Sequence, residues 1–94
     1  MTSTRKMPSD ADFEETILDL LSQRDADKTI CPSEAARALA GKDPDAWSRL
    51  MPLIRRTAVR MMKEGRIEIR RKGKAVDPDD FRGIYRIGRA GAVS

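Results

Sequence analysis

The stretch "PLIRRTAVRMMKEGRIEI", residues 52–69, decides how the whole chain folds. At about 100° per residue, Ile54, Ala58, Met61 and Met62 share one stripe of a helix, and Arg56, Val59, Arg60 and Lys63 share the opposite one. Pro52 suits a helix start, because its missing N–H needs no helical partner there. Gly65 stops the helix, since it takes positive φ at little cost. Then the period changes. In "RIEIR" Ile67 and Ile69 face one way and Arg66, Glu68 and Arg70 the other, as in a half-buried strand. An amphipathic helix over 52–64 followed at once by a strand is the unit around which the rest must pack.

Working outward toward the C-terminus, "KG" at 72–73 predicts a tight turn with Gly73 at the positive-φ position. "VDPDDFRG" reads as a capped helical turn with Asp77 as cap, Pro78 first and Gly83 as stop, and Arg82 is placed to pair with one of its aspartates. "IYRI" at 84–87 is the last expected strand. Toward the N-terminus, "SDADFEETILDLLSQR" predicts a helix over 10–24. Ser9 or Asp10 caps it, carboxylates occupy its first turn, Phe13, Ile17, Leu20 and Leu21 recur at helical spacing, and Leu18 widens the stripe. Thr29 and Ile30 read as a very short strand. "CPSEAARALAG" predicts a small-residue helix over 32–40, with Pro32 first, Glu34 reaching back to the cap and Gly41 as stop. The connection "KDPDAWSRLM" holds a helical turn, and Trp47 plugs an edge of the core.

The order helix, short strand, helix, helix, strand, turn, strand is that of an α+β winged helix-turn-helix, a three-helix core with a small antiparallel β-hairpin as wing. It places a single domain over residues 10–87, with flexible tails at 1–9 and 88–94. A chain of 94 residues supports one core and buries roughly 60–65% of the surface its unfolded form exposes.

At "KTICPSEAARAL", "EGRIEI" and "VDPDDFRG" the chain resembles a small bacterial family of uncharacterised proteins, domain-of-unknown-function family 3253, over about residues 12–87. The resemblance implies a winged-helix fold. It implies no activity and no catalytic residues.

Composition narrows the function. The chain has no histidine and one cysteine, so an internal disulfide and the common zinc ligand sets are excluded. Cys31 also lacks the histidine base that usually activates a nucleophilic thiol. The longest charge-free runs are five residues, such as 50–54, too short for a membrane span or a signal-peptide core. The expected compartment is the cytoplasm. In "VDPDDFRG" Asp77 and Asp79 match a calcium loop, but its twelfth position is Gly88 where that loop needs glutamate. Gly88 and Gly91 lack the strand–glycine–helix context of a phosphate loop. In "CPSEAARAL", Ser33 and Arg37 read as parts of a cap and a packing face before they read as phosphate ligands. No acid/base pair with supporting context appears, so no catalysis, cofactor, metal or small-molecule substrate is expected.

Charge distribution is the positive signal. The net charge is +4, but residues 1–48 hold 6 basic and 10 acidic side chains, and residues 49–94 hold 13 basic and 5 acidic. The halves therefore carry −4 and +8, a footprint suited to a polyanion. The candidate nucleic-acid-binding residues are Arg55, Arg56, Arg60 and Lys63 on the helix, and Arg66, Arg70, Arg71, Lys72 and Lys74 on the wing. With four to six phosphate contacts, the logarithm of affinity for duplex DNA falls by about 3.6 to 5.4 per decade of salt. Such binding requires these cations on one exposed ridge, clear of acidic neighbours. The alternative is a protein-interaction module, in which the same charge layout steers a protein partner or a homodimer.

Overall fold

In a computed structural model, residues 8–25 and 27–91 are described. The expected tail segments 1–7 and 92–94 lie outside them. The fold is α+β, with four helices and a small antiparallel sheet. In chain order the elements are α1 (Asp10–Ser22), β1 (Thr29–Ile30), α2 (Pro32–Ala40), α3 (Pro44–Ser48), α4 (Met51–Lys63), β2 (Ile67–Arg71), β3 (Lys74–Ala75) and β4 (Arg86–Arg89).

Local chemistry sets the helix ends. Ser9 caps α1 in a reciprocal box with Asp12, each side chain bonding the other's backbone N–H. At α2 the Glu34 carboxylate accepts the Cys31 N–H at 3.0 Å, so Cys31 serves as cap residue because glutamate reaches back to it. At α4, Gly65 N–H donates to Met62 O and Arg66 N–H to Met61 O, with Gly65 at φ +78°. This is the Schellman arrangement, which turns the chain straight into β2. The region expected to hold a helical turn forms the short helix α3. It contributes no buried residue, and half-buried Trp47 lies at the edge of the core beneath Arg37.

The strand order is β1-β4-β2-β3. β2 pairs antiparallel with β4, Ile69 opposite Ile87 and Arg70 opposite Arg86, and β1 joins the other edge of β4. Ile30, Ile67, Ile69 and Ile87 fill the inner face and meet Phe13, Ile17, Leu21, Ile54, Ala58 and Met61 from the helices. The predicted α4 stripe is thus buried, with Met62 only partly so. Lys72 and Gly73 both have positive φ, +54° and +81°, as a type I′ turn requires. That turn returns the chain as the two-residue β3, which the sequence alone does not announce.

Two expectations change in position. The last strand runs over 86–89 rather than 84–87, so Gly88 and Arg89 belong to the sheet and not to a tail. After β3, Asp77 caps a turn as expected, its Oδ1 accepting the Asp79 N–H and its carbonyl the Asp80 N–H, but the turn ends near Asp80 and does not continue to Gly83. No helix among the described residues is long and apolar enough to cross a membrane.

Candidate nucleic-acid interface

The nine candidate cations separate into three groups by what their side chains touch. Arg55 and Arg71 tie the loop before β4 in place. Arg55 Nη2 donates to Phe81 O at 2.8 Å, and its guanidinium lies 3.8 Å from the Phe81 ring centre. Arg71 Nε donates to Ile84 O at 2.9 Å and packs beside Gly83. Tyr85, edge-on to Phe81, has its phenol pushed up to about 12 by burial.

A second group is engaged by carboxylates. Arg60 and Arg66 share Glu14 of α1 and Glu64 at the end of α4. Lys63 Nζ lies 2.7 Å from Asp79, so Asp79 is held by Lys63 and not by Arg82. Arg70, only 5% exposed, donates from Nε to Glu68 and from Nη2 to Arg89 O. The requirement that folding keep these cations clear of acidic neighbours is therefore not met at Arg60, Lys63, Arg66 and Arg70. The physical reasons differ: α1 brings Glu14 against Arg60 and Arg66, while Glu64, Glu68 and Asp79 of the C-terminal half itself meet Arg60 and Arg66, Arg70, and Lys63.

Arg56, Lys72 and Lys74 form the third group. They are exposed and have no carboxylate partner among the described residues.

The Glu14 cluster has a consequence for pH. Hydrogen bonds from Arg66 and then Arg60 hold the Glu14 carboxyl below its ordinary value of 4.5, and the same bonds raise both guanidiniums. A carboxylate with a lowered folded-state pKa contributes stability that is present above its unfolded value and lost as pH falls through the folded one. Urea unfolding at pH 6 and pH 3 will show a smaller acid-induced loss for Glu14→Gln than for the wild type. Equal losses would mean that the cluster does not form in solution.

Three features escaped the sequence reading. Arg86 donates to Thr29 Oγ1 at 2.7 Å and to Thr29 O at 3.2 Å, which places a further cation on the outer face of the sheet, opposite Arg70. Strand alternation counted from Ile87 would have found it. Arg89 Nη2 donates to Leu21 O and Arg24 O. It thus supplies the cation that the last turn of α1 lacks, and no pattern in the sequence signals that pairing. Ile84, expected in a strand, is instead 86% exposed beside an apolar groove lined by Cys31, Pro32, Met51 and Tyr85.

A family model described as "Protein of unknown function (DUF3253)" matches residues 10–90, and the chain belongs to that family. No curated protein matches it.

Proposed function

We propose that this DUF3253 member is a cytoplasmic, non-enzymatic winged-helix module that binds nucleic acid, duplex DNA in preference to RNA, mainly through the turn between β2 and β3. The supporting observation is the set of exposed cations without carboxylate partners among the described residues, with Lys72 and Lys74 flanking the tip of the turn and Arg56 on α4. The element order and the strand order β1-β4-β2, with α4 running directly into β2, also suit a winged helix. Because Arg60 and Lys63 are engaged by carboxylates, α4 is assigned a supporting contact through Arg56 and no base readout.

Three phosphate contacts imply weak binding, with Kd of about 10⁻⁴ to 10⁻⁶ M and little sequence preference, and a loss of about 2.7 in log affinity per decade of salt. Labelled random duplex titrated at 50 and 200 mM salt will bind about 40-fold more weakly at the higher concentration. The double substitution Lys72→Gln, Lys74→Gln will reduce the salt slope by about 1.8. Absence of binding at 50 mM salt, or a slope unaffected by the substitutions, overturns the proposal.

A second reading, a protein-interaction module, is favoured by Ile84. An isoleucine so exposed beside an apolar groove suits a partner segment that inserts an apolar side chain. Arg82, exposed and without an ion pair among the described residues, selects for carboxylates flanking that side chain.

A further inference from the structure

We infer that the outer face of the sheet carries an oxyanion site, and that its ligand is a phosphate group. The site is a cleft of about 360 Å³ lined by Thr29, Arg70, Lys72, Gly73 and Arg86, with Asp27 also on its wall. It uses Lys72, as nucleic-acid binding does, but the two proposals stand or fall separately.

Sheet register brings the cations together. Arg70 and Arg86 are direct partners across the β2–β4 ladder, and residues directly opposite in a ladder point to the same face. Like charges in that relation are destabilising unless something lies between them. Both side chains nevertheless line the same cleft, each held by bonds to other groups. Arg86 is fixed by its two bonds to Thr29. Arg70 is fixed by Glu68 and Arg89 O, and it lies flat over Gly88, where an added Cβ would come within 2.7 Å of the guanidinium carbon. The glycine thus makes room for the arginine that floors the cleft.

Both guanidiniums keep donors unspent. The Nη1 groups of Arg70 and Arg86 have no hydrogen-bond partner among the described residues. Arg70 is almost fully buried and has one carboxylate, at 3.2 Å, to balance its charge. Lys72 adds a third cation from the turn. Three cations against Asp27 on the wall and Glu68 beside it leave the cleft positive. Cations brought to one cleft from two strands and a turn suit the several oxygens of a phosphate better than the two of a carboxylate. The phosphate could belong to a nucleic-acid backbone or to a small phosphorylated molecule.

The test is titration of the full chain with inorganic phosphate, followed by ¹H–¹⁵N NMR at constant ionic strength with chloride as the replaced ion. The expected result is saturable shifts of the Arg70 and Arg86 Nε–H signals and of the Lys72 and Gly73 amides. Arg86→Gln will weaken binding by about 10- to 100-fold, the usual weight of a charge-assisted hydrogen bond. Gly88→Ala will weaken it comparably while retaining every cation, because it displaces the Arg70 guanidinium. Lys42→Gln, a change in exposed surface outside the cleft, will leave it unchanged. Thermal melts confirm that the variants fold. Shifts that do not saturate, or that are the same in Arg86→Gln and Gly88→Ala as in the wild type, overturn the site. With phosphate binding established, duplex DNA that shifts the same signals identifies a backbone phosphate. Duplex that leaves them unmoved identifies a small phosphorylated ligand.

Discussion

Ile54→Ala will destabilise the fold by about 2–5 kcal/mol, as read by urea unfolding followed through circular dichroism. Ile54 is fully buried on α4, the helix that packs against α1, α2 and β2 together. Truncation removes the transfer free energy of the deleted carbons and leaves a cavity where helices and sheet meet, which the surroundings fill only in part. A domain of this size is stable by about 5–14 kcal/mol, so the substitution removes a large share of the total. Leu18→Ala is the control. Leu18, expected to widen the buried stripe, is 38% exposed on α1, and its loss will cost about 1 kcal/mol, well below that of Ile54. If Ile54→Ala proved equally mild, the packing of α4 described above would be wrong.

Arg55→Ala comes next in size, at about 2–3 kcal/mol. The arginine supplies a charge-assisted hydrogen bond to Phe81 O and a close cation–π contact with the Phe81 ring. The first is worth about 1.5–3 kcal/mol and the second about 0.5–2, with part of the sum returned when water reaches the freed carbonyl. Arg55→Lys will recover less than half of the loss, since an ammonium keeps the charge but cannot lie flat on the ring while donating sideways. The neighbouring Arg56→Ala will stay within about 0.5 kcal/mol, because Arg56 is exposed and has no carboxylate partner among the described residues. A stability unchanged in Arg55→Ala would return Arg55 to the solvent-facing set in which the charge count had placed it.

These two residues mark the boundary of what sequence reading reached. Ile54 was found by periodicity, because α4 must bury one stripe whichever partner it meets. The caps at Ser9, Glu34 and Gly65 were legible for the same reason, since each acts within four residues of its own helix end. Arg55 was misplaced because helical phase locates the direction of a side chain and not its reach. A long side chain on the flank of the polar face bends back to a carbonyl 26 positions along the chain. Arg71, Arg86 and Arg89 follow suit, bonding carbonyls of Ile84, Thr29, Leu21 and Arg24. Backbone acceptors carry no formal charge, so a count of charged residues cannot register them.

By itself, then, the sequence determined the three longer helices and most of their buried faces, the strand that follows α4, the turn at Lys72 and Gly73, and membership of the DUF3253 family, because each depends on interactions among near neighbours or on the local pattern of residue types. Only the tertiary structure decided which cations remain available. Glu14 meets Arg60 and Arg66 across separations of 46 and 52 residues, and Arg70 comes to face Arg86 through a strand pairing that spans 16 positions. Coulomb and hydrogen-bond energies depend on distance in space, and folding alone sets those distances.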